Sequence, residues 1–95
     1  FFYMNILVVE DDKSLNETIV DFLEFSNFKT ISVFDGEEAV IKSYENSFDI
    51  IILDVKLPKL NGFQVATKIR EFSNIPIIFL TSLDDEKDIE KGFIL

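Results

Sequence analysis

Cysteine and histidine are both missing from this sequence of 95 residues. Without cysteine there can be no disulfide and no thiolate metal site. Without histidine the chain has no imidazole base, cannot carry a phosphohistidine and cannot build a typical zinc site. Long apolar runs are missing as well. The longest, such as residues 6–9 and 50–53, fall far short of the roughly 20 residues that a membrane-spanning helix needs. No basic stretch precedes an apolar one with a small-residue cleavage site, so no signal peptide is read. The expected location is the cytoplasm.

What is present suits one globular domain. Apolar residues make up 47% and charged residues 28% of the chain, ordinary values for a folded protein and far from those of a disordered or low-complexity one. The length suffices for one domain and is too short for two. Eighteen acids against nine bases give a net charge of −9. Such a surface repels nucleic acid and anionic lipid at long range and favours a cation or a partner with a basic face. Scattered acids would serve solubility alone, so their placement decides the matter.

Met4 reads as the natural start, leaving Phe1, Phe2 and Tyr3 as a remnant ahead of a domain over residues 4–95. Residues 5–9 (NILVV) are a short branched apolar run that breaks into Glu10-Asp11-Asp12, the pattern of a strand buried on both faces. Ser14 and Glu17 have the spacing of a capping box. They open a predicted helix through Phe25, with Leu15, Ile19, Phe22 and Leu23 at helical period, and Asn27 is a plausible stop. Residues 29–34 alternate polar and apolar, as in a strand near a sheet edge. Asp35-Gly36 turns the chain into a second helix over residues 37–46, with Ala39, Val40 and Tyr44 on one side. Residues 49–55 (DIIILDV) form the most apolar strand and carry Asp54 near its C-terminal end. Pro58 and Asn61-Gly62 mark a loop, followed by a third helix over residues 63–72, a fourth strand over 75–80, and Thr81 and Ser82 at its end. A fourth helix begins near Asp84. The eleven phenylalanines are expected mostly in the core.

Four successive β-α pairs predict an α/β fold, with a parallel sheet and helices on both faces. In such sheets sites form beyond the C-terminal ends of the strands. The first strand brings Glu10, Asp11 and Asp12 to that end, the third Asp54, and the fourth Thr81 and Ser82. Taken singly, the first acids suit a helix N-terminus, and Asp54 and Thr81 suit strand ends. Their co-occurrence at one end of one sheet carries the functional reading. Two carboxylates about 5 Å apart repel by roughly 3 kcal/mol at an effective dielectric near 20, and magnesium with its oxygen ligands reverses that sign. A carboxylate can also act as the covalent acceptor of a phosphoryl group, with Thr81 donating a hydrogen bond to a phosphoryl oxygen.

ILVVEDD at 6–12, LDVKLPKLNGF at 53–63 and IPIIFLTS at 75–82 resemble the receiver domains of bacterial two-component response regulators. The resemblance runs from Met4 to Leu95. It implies a flavodoxin-like sheet in the order 2-1-3-4, the family's fifth strand being left out, and a phosphoacceptor switch served by a sensor histidine kinase and Mg2+. Asp54 is implied as phosphoacceptor and, with Thr81, as a catalytic residue. Glu10, Asp11, Asp54 and the Lys56 backbone carbonyl are implied as metal ligands. Thr81 and Ser82 are implied as phosphoryl contacts, and Asp12 receives no site role. The wording around Glu10 and Pro58 is similar to receivers that control DNA-binding domains, which suggests transcription regulation.

The chain departs from the family pattern by stopping inside the fourth helix, short of the family's fifth strand, its lysine and its fifth helix. The expectation is weak switching, and self-association through an exposed fourth strand. Two other functions weigh against the switch. A haloacid-dehalogenase-type phosphatase would need Asp-x-Asp after the first strand, where Glu10-Asp11-Asp12 stands. A phosphate-independent interaction module would keep the fold without binding magnesium.

Overall fold

The computed structural model describes residues 3–80; Thr81, Ser82 and the expected fourth helix lie outside the described residues. The elements alternate as β1 (Asn5–Val9), α1 (Lys13–Phe25), β2 (Lys29–Val33), α2 (Gly36–Glu45), β3 (Ile50–Asp54), α3 (Gly62–Arg70) and β4 (Ile77–Leu80). All strand pairs are parallel, in the order β2-β1-β3-β4. The α/β fold and the 2-1-3-4 order are those expected.

Alternation along β1 explains the layering. Ile6 and Val8 turn to one face and pack with Leu23, Ile19 and Val20 of α1. Leu7 and Val9 turn to the other and pack with Ala39 of α2 and Val65, Ala66 and Ile69 of α3. A strand covered on both sides must be apolar at every position, which is why NILVV lacks the alternation seen in β2. At the sheet edge, β2 buries only Val33 fully.

Three expectations need correction. Helix α1 is capped by Asp12 and not by Ser14: the Asp12 backbone is extended, and its Oδ1 accepts the Leu15 N–H at 3.1 Å. The helix begins two residues sooner than the Ser14-Glu17 pattern suggested, so Ser14 lies within its first turn. The structure's capping box is in α3, where Asn61 Oδ1 accepts the Gln64 N–H and Gln64 Oε1 accepts the Asn61 N–H, both at 2.9 Å.

The predicted helix faces are also too wide. Leu15, Phe22 and Tyr44 are exposed, Phe22 and Tyr44 by more than two thirds. One helix lying across a strand buries only the stripe nearest the sheet, here Ile19, Val20 and Leu23 on α1. Finally, no phenylalanine among the described residues is fully buried, and the core is aliphatic. Aliphatic side chains fill both core layers, and Phe28, Phe48 and Phe79 pack at the core's margin.

Candidate metal and phosphoryl site

The C-terminal ends of β1 and β3 meet because those strands are neighbours, with Val9 paired to Leu53. One residue further along each strand, the chain changes from apolar to acidic. Glu10, Asp11 and Asp54 each offer a carboxylate oxygen within 4.8 Å of the others. Glu10 is buried, Asp54 half-buried and Asp11 exposed, so the cluster opens outward on the Asp11 side. The crevice expected between the first and third strands is where the acids converge.

Backbone donors aim these carboxylates. The Asp12 N–H donates to Glu10 Oε2 at 3.0 Å, and the Lys56 N–H donates to Asp54 Oδ1 at 3.2 Å. The β3–α3 loop is drawn tight beneath Asp54. The Gly62 N–H donates to the Val55 carbonyl at 2.8 Å, and the Leu60 N–H donates to the Pro58 carbonyl at 2.8 Å across Lys59, which takes a left-handed φ of 67°. Beside this loop, Leu80 is paired to Asp54, and its carbonyl accepts the Val55 N–H at 3.0 Å. Thr81 and Ser82 follow Leu80 in the chain but lie outside the described residues.

Burial is the main reason the Glu10 carboxyl is pushed up to about 7; Asp11 and Asp54 add to it, and the Asp12 N–H opposes it. Burial likewise raises Asp54, against the lowering pull of the Lys56 N–H and of a hydrogen bond from Glu10. Both shifts point the same way: with no cation present, burial and the neighbouring acids favour protonation of this pocket. A pocket whose acids are driven toward protonation for want of positive charge has the electrostatics of a cation site. Three converging carboxylate oxygens also fit the hard-oxygen preference of magnesium.

This arrangement sets a pH dependence. The folded chain keeps the Glu10 proton up to about 7, while an unfolded glutamate loses it near 4.5. Between those values the folded state binds more protons, so stability falls as pH rises through that window. The full shift caps the loss at about 3 kcal/mol, and water at the open side of the pocket reduces it to about 1–2 kcal/mol. Chemical denaturation at pH 5 and pH 7.5 in EDTA is expected to give the lower stability at pH 7.5. Added Mg2+ is expected to narrow the gap.

An open cleft of about 320 Å3 at the opposite, N-terminal end of the sheet is lined by Asn5, Lys29, Ile31, Asn46 and Phe48, among others. It holds no cluster of metal-ligating side chains among the described residues. No helix among those residues is long and apolar enough to cross a membrane.

A doubly wound parallel sheet with a carboxylate cluster at its C-terminal edge defines a class of phosphate- and cation-handling α/β domains. Within that class, residues 6–95 match the response regulator receiver domain family, and the chain belongs to that family. It is 39% identical over 86 residues to the uncharacterized transcriptional regulatory protein YcbL of Bacillus subtilis, covering 90% of this chain and 38% of that protein. It is 34% identical over 90 residues to the regulatory protein VanRB of Enterococcus faecalis, covering 95% and 41%. The response regulator TrrA of Thermotoga maritima, solved in complex with Mg2+-BeF, superposes with a TM-score of 0.84 at 30% identity, covering 94% of this chain and 79% of that one. The chain thus spans about two fifths of the length of these curated relatives. A receiver domain is the phosphoacceptor switch of a two-component system, so the general kind of this chain is a signalling domain.

Sequence reasoning missed three residues that shape the site. Asp12 had no role in the sequence reading, yet its N–H holds Glu10. Asn16, which is buried, was not singled out. Gly62 was read only as a turn marker, although a Cβ there would run into the Asp54 carbonyl oxygen. The polar Asn16 lies one position after Leu15 and three before Ile19, within the stretch read as an apolar helix face, and that was the available signal.

Proposed function

We propose that this receiver, taken as residues 4–95, accepts a phosphoryl group on Asp54 from the phosphohistidine of a sensor histidine kinase. The observation that carries this reading is the convergence of Glu10, Asp11 and Asp54 within 4.8 Å. An Asp54 carboxylate oxygen attacks phosphorus and the P–N bond breaks. The electron pair leaves with the kinase imidazole, and an acyl phosphate remains. The Lys56 N–H orients the attacking carboxylate by holding its other oxygen. Glu10 and Asp11, with Asp54 and the Lys56 carbonyl, would hold Mg2+. Bound there, the ion supplies the positive charge that lets three carboxylates and a phosphoryl group share one pocket. Thr81 and Ser82 are the proposed phosphoryl contacts, and Thr81 is the residue through which phosphorylation biases the two signalling states.

Partners and location follow from the same reading. The net charge of −9 supports a protein partner over direct contact of this chain with nucleic acid or membrane. Cytoplasmic residence fits a kinase-coupled switch. The names of the relatives favour an output in transcription control. Exposed Ile78 on β4, an edge strand among the described residues, supports self-association along that strand.

The test is incubation with a small phosphoramidate and MgCl2. The expected product carries one phosphoryl group, labile to hydroxylamine as an acyl phosphate is. No incorporation, or a hydroxylamine-stable ester on a serine or threonine, would overturn the proposal.

A further inference from the structure

Asn16 is 2% exposed and stands one turn inside α1. Its Nδ2 donates to two backbone carbonyls, that of Glu10 at 3.1 Å and that of Val33 at 3.2 Å. Both neighbours are acceptors, which fixes the amide's orientation, since its own oxygen turned inward would face two carbonyl oxygens. The β1–β2 ladder ends at the pair Val9 and Val33. Past that pair the Glu10 N–H still reaches the Val33 carbonyl at 3.3 Å, but the Glu10 carbonyl has left the ladder. Asn16 supplies the missing rung.

The consequence falls on the acids. The peptide joining Glu10 to Asp11 is planar, so fixing the Glu10 carbonyl fixes the direction in which Asp11 leaves. The same loop is braced twice more. The Asp12 N–H holds the Glu10 carboxylate, and the Asp12 carbonyl accepts the Asn16 backbone N–H at 2.8 Å. Residues 10–12 therefore hang on Asn16 through both its backbone and its side chain.

We propose that Asn16 is a positioning residue for the divalent-cation pocket, holding the Glu10–Asp11 peptide in the geometry that brings these two carboxylates to Asp54. The inference rests on the reading of Glu10, Asp11 and Asp54 as that pocket. Ligand-supporting groups of this kind commonly tune metal affinity.

The test titrates Mg2+ into the wild-type chain, Asn16→Leu and Asn16→Ser, each at a temperature where circular dichroism shows it folded. Asn16→Leu keeps most of the volume and removes both donors, and its Kd for Mg2+ is expected to rise about tenfold. Asn16→Ser keeps one donor and should rise less. In the wild type, saturating Mg2+ is expected to shift the Asn16 side-chain amide signals in 15N NMR spectra. Unchanged Kd values in the folded variants, even with lowered melting temperatures, would make Asn16 merely structural and overturn the inference. Should neither variant fold, unmoved Asn16 amide signals at saturating Mg2+ would overturn it equally. A wild-type chain that binds no Mg2+ would instead overturn the pocket reading itself.

Discussion

Asp54→Asn is expected to reduce Mg2+-dependent phosphorylation by a phosphoramidate to background, a fall of at least about a hundredfold, while making the metal-free chain more stable at neutral pH. The first effect is chemical. An amide lacks the anionic oxygen that attacks phosphorus, and no other carboxylate shares the position of Asp54 between the Lys56 N–H and the end of β4. The second effect is electrostatic. Asp54 shares a crowded pocket with Glu10 and Asp11, and one such contact at about 5 Å costs roughly 3 kcal/mol at an effective dielectric of 20. The raised proton affinity of the pocket and its open side already relieve part of this, leaving about 1–2 kcal/mol to be regained. Glu10, raised to about 7 by burial and by its acidic neighbours, should move back toward ordinary values. Intact-mass labelling and thermal denaturation in EDTA measure the two effects on one sample. Their opposite signs rule out unfolding as the cause of lost labelling. Undiminished labelling of the variant would remove Asp54 as acceptor.

The two metal-free effects, a gain from Asp54→Asn and a loss on raising pH, have one origin. The fold places charge where it is least stable without a cation, at the ends of two central strands whose Ile6–Val9, Ile51 and Leu53 are buried. Neutralising that charge through a proton at low pH, an amide at position 54 or a bound dication should stabilise the chain in each case. A chain indifferent to all three would have its acids too far apart to matter.

The parts of this site legible in the sequence were those fixed by strand period and strand ends. NILVV and IIILD announce buried strands, and a parallel sheet puts Glu10, Asp11 and Asp54 at one edge once β1 and β3 are neighbours. Their adjacency itself came from the family resemblance, because alternation alone does not order strands. Local competition hid the rest. Two capping signals, Asp12 and Ser14, stand two residues apart, and only the chain's path out of β1 decides between them. Asp12 wins because its N–H is already turned back to Glu10. Asn61-Gly62 reads equally as a turn and as a helix start, and the reciprocal bonds with Gln64 select the helix. The exposure of Leu15, Phe22 and Tyr44 depends on how wide a stripe the sheet can cover, which a helical period does not encode. Asn16 was hidden for a related reason: its partners, Glu10 and Val33, belong to two different strands, and no local pattern links them.

Gly62→Ala is expected to destabilise the chain by about 2–3 kcal/mol, although Ala is the better helix former by about 1 kcal/mol. The outcome turns on what the new methyl group would meet. A Cβ on Gly62 runs into the Asp54 carbonyl oxygen and lies 2.8 Å from the Val55 Cα. These are backbone atoms of the strand end that carries the acceptor, and no rotamer change can move them. The start of α3 would have to retreat, straining the 2.8 Å bond from the Gly62 N–H to the Val55 carbonyl. Overpacking of this kind costs about 1–3 kcal/mol or more, which outweighs the gain in propensity. Gly36→Ala is the internal control, since its Cβ would first meet Val65 Cγ2 at 2.6 Å, a side-chain atom, while Leu60 Cβ and the Leu60 carbonyl oxygen stand further off at 3.0 Å. Its loss should be smaller, about 1 kcal/mol. At roughly 4–8 °C per kcal/mol for a domain of this size, thermal denaturation resolves the two. Because only Gly62 touches the Asp54 backbone, only Gly62→Ala should also weaken Mg2+ binding. A Gly62→Ala chain that melts no lower than Gly36→Ala would mean that the approach of α3 to the acceptor strand has slack, and that the position of Asp54 is set by something other than this contact.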